Sequence, residues 1–234
     1  MKSYRGFLFD ADNTLFDYDR AEKEALAEAI AAAALGIPDG AAVSAYRAVN
    51  ADYWKRFEEG SVTLDELKIG RFRDFLGSLG ARGDPEALSA AYCAALSRKA
   101  YFLPHAREVL EELARTALLC IVTNGLAEVQ RGRIERSGIG GLLAAVIVSE
   151  EIGISKPDPR FFRAAAEALG LGPGELLCVG DSPSTDIAGA AAAGIDACWY
   201  SPAGAPWAGP GPAPAFVAAD LRDLLAFAPG SSQR

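Results

Sequence analysis

Asp10 and Asp12 stand two residues apart at the end of a short apolar run, Gly6 to Phe9, and that spacing is where chemistry enters this chain. The run is short, aromatic-rich and bounded by a glycine, which predicts a buried strand over Gly6 to Phe9. Asp10 then lies at the strand's carboxyl end, where open α/β sheets place their ligands. In extended backbone residues i and i+2 face the same way, so both carboxylates can serve one site. A bare carboxylate pair is costly unless a cation or a proton neutralises it. The pair points to one group that attacks, another that carries a proton, and a metal nearby.

Other apolar runs also end in polar groups. Thr123-Asn124-Gly125 closes the run from Ala117 to Val122, and Lys156 follows the run from Ala144 to Val148. Glu175 to Val179 leads into Gly180-Asp181, with Asp186 a few residues on. Each piece has a plainer account when taken alone. Thr-Asn-Gly is often only a turn, a lone lysine is usually a solvated charge, and Asp186 suits the first turn of a helix. The Asp10 segment begins like a calcium loop, but Leu15 stands where the loop needs Gly and Ala21 where it needs Glu. A strand also precedes it in place of a helix. The joint arrangement, with all these ends on one edge of a parallel sheet, is what argues for catalysis.

The elements that must hold these groups follow from the patterning. From residue 105 onward, helical stretches (108–115, 127–136, the helix opened by Asp158-Pro159, 185–193) alternate with strand-like runs, including 195–200 and 215–218. A closing helix is expected over 221–227. Asp158 is a good N-cap and Pro159 suits the first helical position. Such alternation predicts an α/β fold, a Rossmann-like parallel sheet covered on both faces. Residues 18–100 break the rhythm, with helical runs at 20–35, 43–58, 64–76 and 85–99 and no strand. The expected organisation is an α/β core from residues 1–17 and 101–234 with a helical cap inserted at 18–100. An irregular loop is expected at 201–214 and a frayed tail at 230–234.

The four polar strand ends resemble, in type, order and context, the motifs of the haloacid dehalogenase-like superfamily, and the resemblance covers nearly the whole chain. The chemistry also stands on its own. A carboxylate, Asp10, can attack phosphorus to give an acyl phosphate that water then hydrolyses. Attack by an anion on an anion needs neutralisation, which Mg²⁺ and Lys156 can supply. Mg²⁺ takes oxygen ligands in an octahedron and keeps several waters. Asp10, the main-chain carbonyl of Asp12, and Asp181 fit that demand, with Asp186 ligating directly or through water. Asp12 would give a proton to the leaving alkoxide and take one from the attacking water. The Thr123 hydroxyl, backbone N–H groups near Asn13 and Asn124, and Lys156 would hold the phosphate. Dehalogenases of the superfamily need neither a second aspartate two residues on nor a Mg²⁺ cluster, so Asp12, Asp181 and Asp186 argue against dehalogenation.

The totals exclude other classes. With a net charge of −8 and no basic block, binding of nucleic-acid polymers or anionic membranes is not expected. No stretch could span a bilayer and the amino-terminal apolar run is too short for a signal peptide, so a cytoplasmic location is expected. The single histidine, His105, rules out His-based triads and His-rich zinc sites. Four cysteines without a Cys-x-x-Cys pair read as buried thiols. The expected partner is a small phosphate monoester, and the expected state a monomer or weak homodimer.

Specificity should come from the cap. Tyr46-Arg47-Ala48-Val49-Asn50, Trp54, Gly70-Arg71-Phe72, Gln130-x-x-Arg133-x-Glu135-Arg136, Ser149-Glu150-Glu151 and Cys198-Trp199 resemble bacterial noncanonical pyrimidine 5′-nucleotidases. That resemblance implies hydrolysis of nucleoside 5′-monophosphates such as dUMP, dTMP and UMP. A base needs a flat apolar wall and amide-type partners. Trp54 and Tyr53 offer the wall, Asn50 the hydrogen bonds and Arg71 a polar or anionic contact. The alternative for Trp54 and Phe72 is packing within the helical bundle. Glu135, Arg136 and the residues around Glu150 are expected to serve packing and surface pairing. Runner-up activities are a sugar-phosphate or phosphoglycolate-type phosphatase, then a phosphomutase, then a nucleotide-binding protein without turnover.

Overall fold

A computed structural model describes residues 2–209 and 211–230. Six parallel strands, β1 (Gly6–Phe9), β2 (Leu118–Thr123), β3 (Ala145–Val148), β4 (Leu176–Gly180), β5 (Asp196–Tyr200) and β6 (Phe216–Ala218), form one sheet in the order β3-β2-β1-β4-β5-β6. The chain therefore builds outward from β1 in both directions, and β1 ends at the point where the strand order reverses. That is where doubly wound sheets open a crevice for ligands. In register, Leu8 pairs with Cys120 on one side and Cys178 on the other, and Phe9 with Ile121 and Val179. Asp10 comes immediately after, tied by its N–H to the Val179 carbonyl at 2.9 Å.

Alternation along the strands separates the two faces of the sheet. Phe7, Phe9, Leu119, Ile121, Leu177 and Val179 pack with α5 (Ala106–Leu113), α6 (Ala127–Ser137) and the closing helix. Leu8, Cys120, Val122 and Cys178 pack with α8 (Pro159–Leu169) and α9 (Ala188–Ala192). Between α6 and α8 lies the single turn α7 (Ser149–Ile152). Asp158 caps α8 by accepting from the Arg160 N–H at 2.8 Å, an interaction worth about 1 kcal/mol. All four cysteines are buried and free of disulfides, and burial pushes the Cys120 and Cys198 thiols up to about 12.

Residues 18–100 contain no strand among the described residues. They form α1 (Tyr18–Ala32), α2 (Asp39–Glu58), α3 (Arg71–Ser78) and α4 (Pro85–Ser97), which share an apolar cluster of their own built on Tyr46, Phe72, Phe75 and Tyr92. Leu126 and Val129 join that cluster from the start of α6. Phe72 thus packs the bundle, in ring contact with Tyr46 and Tyr92.

Three helical stretches wind differently from expectation. The run expected over 64–76 opens with a wide π-helical turn, Glu66–Gly70, before α3. The helix expected over 185–193 begins as another such turn, Pro183–Ile187, before α9. Wide turns of this kind cluster at functional sites, and these deliver Arg71 and Asp186 to the same cavity. The closing segment Leu221–Phe227 is a tight 3₁₀ helix capped by Asp220 and stopped just before Pro229. The loop over 201–214 is irregular where described. Of the expected frayed tail, residues 231–234 lie outside the described residues.

Candidate active site

The carboxyl ends of β1, β2 and β4 and the segment after β3 converge on a cavity of about 460 Å³. At its floor Lys156, 2% exposed, donates to Asp10 Oδ1 and to Asp186 Oδ1, each at 2.6 Å, and to the Val122 carbonyl at 3.1 Å. The lysine expected between a phosphate and Asp10 is thus shared between two buried carboxylates. Asp186 reaches the floor because Gly180 has no side chain: a Cβ there would lie 2.3 Å from its carboxyl carbon. Its second oxygen accepts from the Ser182 N–H at 3.1 Å.

Asp10, Asp181 and Asp186 each bring a carboxylate oxygen within 4.8 Å of the other two. Burial pushes the Asp10 carboxyl well above its usual range; Lys156 opposes the shift, and the charges of Asp186, Asp181 and Asp12 add to it. Asp181 is pushed up to about 7, first by burial and then by Asp186. Burial alone would lower the Lys156 ammonium, but Asp10 and Asp186 more than offset that and raise it. Three carboxylates against one ammonium leave an excess of negative charge on a cluster of hard oxygen donors. A small divalent cation fits that donor set.

The second carboxylate has a separate cation. Asp12 lines the same cavity, but its side chain turns toward α6, where Gln130 Nε2 donates to Oδ2 at 2.7 Å and Arg133 Nη1 donates to Oδ1. Neither partner was assigned a role from sequence, although Gln130-x-x-Arg133 puts both on one helical face. Gly125 leaves the path open, since a Cβ there would lie 2.2 Å from Gln130 Nε2.

The proposed phosphate-binding residues line the cavity as well. Thr123 Oγ1 accepts from the Gly125 N–H at 3.0 Å, leaving its own hydrogen to donate. Asn13 sits at φ 59°, a left-handed conformation that Asn tolerates, with its Oδ1 accepting from the Tyr18 N–H. The Asn124 side chain is committed to Lys156, exchanging hydrogen bonds of 2.9 Å with both its backbone N–H and its carbonyl. It therefore fixes the lysine's backbone, and only its own backbone is left to meet a ligand.

Across the cavity, α2 presents Asn50, Trp54 and Glu58, spaced by four residues on one face, and Arg71 completes the wall. Arg71 is 2% exposed. Its Nη1 donates to Asn50 Oδ1 at 2.9 Å, while Nε and Nη2 have no partner. Asn50 Nδ2 in turn faces Glu22 at 3.5 Å. Tyr53 does not share the wall with Trp54: it is buried in the helical cluster, donating to Asp74 at 2.8 Å. Successive helical residues diverge by about 100°, so the two rings cannot face one cavity. Glu150 pairs with Lys68 at 2.6 Å and accepts from the Ala127 N–H, a linking role. His105 lies elsewhere, beside Glu108.

Residues 4–194 match the family model for haloacid dehalogenase-like hydrolases. The chain is 32% identical to pyrimidine 5′-nucleotidase YjjG of Escherichia coli, with 82% of this chain and 84% of that one covered. It is 33% identical to pyrimidine 5′-nucleotidase PynA of Streptococcus pneumoniae, covering 85% and 84%. The HAD-hydrolase YfnB of Bacillus subtilis, solved bound to magnesium, superimposes with a TM-score of 0.87 at 31% identity over 96% of this chain and 98% of that one. No helix among the described residues is long and apolar enough to cross a membrane. The match over most of its length, together with the fold, places this chain among the haloacid dehalogenase-like hydrolases.

Proposed function

We propose that this chain is a Mg²⁺-dependent phosphatase of pyrimidine nucleoside 5′-monophosphates. The observation that carries the reading is one cavity with Asp10, Thr123 and Lys156 on its floor and Asn50, Trp54 and Arg71 on its far wall. In this reading an Asp10 oxygen attacks the phosphorus, and the bond to the ester oxygen breaks. Asp12 delivers a proton to the departing 5′-oxygen and later removes one from the water that hydrolyses the aspartyl phosphate. Lys156 holds Asp10 in place and neutralises the incoming phosphate, and Thr123 with the backbone N–H groups near Asn13 and Asn124 binds its oxygens. Asp10, Asp181, Asp186 and the Asp12 carbonyl would hold Mg²⁺, which supplies positive charge to the transferring phosphoryl group.

Residues 18–100 serve as the cap in this reading, and the base lies against Trp54. Asn50 and Arg71 meet its carbonyls, which suits the two unpartnered guanidinium nitrogens of Arg71. YjjG and PynA support the nucleotide class. The same open valences of Arg71 would suit a carboxylate, so a phosphoglycolate-type substrate is the second reading. Phosphate release with Mg²⁺ from a panel of dUMP, dTMP, UMP, purine nucleotides, phosphoglycolate and hexose phosphates decides between them. Pyrimidine 5′-monophosphates should give the highest kcat/KM. A higher value for phosphoglycolate or a hexose phosphate would reject the substrate class, and no release from any would reject the phosphatase.

A further inference from the structure

The carboxylate of Asp12 is held by two α6 residues to which no role in the reaction has been given. Gln130 Nε2 donates to one oxygen at 2.7 Å and Arg133 to the other. Arg133 is buried without exposure, and a buried cation of this kind is maintained only by what it contacts. Its Nε donates to the Lys99 carbonyl at 3.2 Å, and its guanidinium lies 4.7 Å from the centre of the Phe16 ring. Lys99 and Phe16 belong to the two segments that connect residues 18–100 to the sheet. Those segments run side by side: the Asp17 N–H donates to the Tyr101 carbonyl at 2.8 Å, the Leu103 N–H to the Leu15 carbonyl at 2.9 Å, and the Phe16 and Phe102 rings meet at a tilt with centroids 5.2 Å apart. On the same helix Gly132 lies against Ser97 at the end of α4, where a Cβ would come within 2.9 Å of the Ser97 Cβ.

We infer that Arg133 and Gln130 are positioning residues that hold the Asp12 carboxylate against the two connecting segments, so that its oxygen meets the leaving oxygen of a substrate whose phosphate sits on Asp10. The inference rests on the phosphatase reading above. An acid aimed at a leaving oxygen needs one oxygen fixed and the other free to carry the proton. Arg133, locked between Lys99 and Phe16, fixes Oδ1. Gln130 lies on the cavity wall and has an unpartnered Oε1 beside the donor it gives to Oδ2. Gln130 Nε2 takes only one of the acceptor positions of Oδ2, so another remains to carry the proton toward the cavity, whereas Arg133 holds Oδ1.

The test separates a role in proton delivery from a role in folding. Arg133→Met and Gln130→Met are compared with the parent on a series of ring-substituted phenyl phosphates with Mg²⁺, reading kcat/KM, which reports the step that expels the phenol. The substrates share one shape and differ in how much the leaving oxygen needs a proton. Positioned acid catalysis contributes about 10²–10⁴-fold. Both variants should therefore lose about 10²-fold or more on phenyl phosphate and less than about tenfold on 4-nitrophenyl phosphate, whose phenol leaves unaided. Gln130→Met keeps the buried arginine and preserves the test if Arg133→Met does not fold. Equal losses across the series, or none, would overturn the inference while leaving the phosphatase standing. A parent protein that releases phosphate from neither this series nor the nucleotide and sugar-phosphate panel refutes the phosphatase reading and this inference with it.

Discussion

Replacing Lys156 with Met removes the one cation shared by Asp10 and Asp186 and keeps most of the side chain's volume. The three groups are 2%, 9% and 1% exposed at the side chain, and both ion pairs are 2.6 Å long. Breaking a buried pair by deleting one partner costs about 3–5 kcal/mol, because the charge left behind has lost both water and its counterion. For a chain of this size 1 kcal/mol shifts Tm by about 2–4 °C, so the metal-free variant should melt about 6–20 °C below the parent. Asp10 can escape part of that cost by taking up a proton. Asp10 is already pushed well above its usual range by burial, and loss of the ammonium beside it can only push it further. The deficit should therefore be smaller at pH 6 than at pH 8, where the protons are scarcer.

Adding Mg²⁺ should recover part of the loss at pH 8, since an ion bound only by the folded state stabilises it. Phosphate release should stay abolished, because nothing then donates to Asp10 from the position of Lys156 Nζ. Thermal unfolding of parent and variant at both pH values, in chelator and in Mg²⁺, measures all of this. A variant that melts with the parent at both pH values in chelator would refute the argument, because Lys156 would then not be neutralising the cluster.

Asp10→Asn should keep the fold and lower phosphate release by about 10⁴-fold or more, the scale on which loss of a nucleophile acts; single-turnover release near the parent rate refutes it. Burial, and then Asp186, pushes the Asp181 carboxyl up to about 7 in the folded chain from an ordinary 3.8. The folded state thus binds the extra proton, and the stability it contributes is full below the lower value and lost as pH rises through about 7. In chelator Tm should fall between pH 6 and 8, and Asp181→Asn should flatten that slope; an unchanged slope in the variant rules it out. Trp54→Ala should cost more kcat/KM for dUMP than for 4-nitrophenyl phosphate, and an equal loss would mean that Trp54 only packs the helices. If residues 18–100 close over the sheet, a phosphate analogue should slow hydrogen exchange at 16–20 and 100–105, and identical exchange with and without it counts against closure.

The sheet was legible because each strand is a short apolar run with a polar residue at its end. Gly6–Phe9 matches residue for residue, and the other strands start or stop within a residue or so of expectation. Parallel pairing then brings those ends together whatever the loops between them do, so Asp10, Thr123, Lys156, Asp181 and Asp186 share one cavity. The wide turns at Glu66–Gly70 and Pro183–Ile187 were not legible, since no residue type demands an extra residue in a helical turn. Tyr53 was misplaced for a simpler reason: adjacency along a helix was allowed to stand for adjacency in space. Counting by fours from Asn50 instead reaches Trp54 and then Glu58, the face that lines the cavity.

What the sequence could not show is how the negative charge is divided. Two aspartates two residues apart looked like one pair in need of one neutralising group. In the fold they part company: Asp10 turns to Lys156, 146 residues away, and Asp12 to Arg133, 121 residues away. Each carboxylate thus has its own buried cation, Lys156 from the segment after β3 and Arg133 from α6. That separation lets the two groups differ in character. Asp10 shares its ammonium with Asp186 and faces Asp181, so its charge is balanced only when more positive charge arrives, whether from a metal or from protons. Asp12 is held instead by a guanidinium and an amide from α6. Under the proposed phosphatase reading, the carboxylate that attacks lies where a metal would be held, and the one that moves a proton is held apart from it by α6.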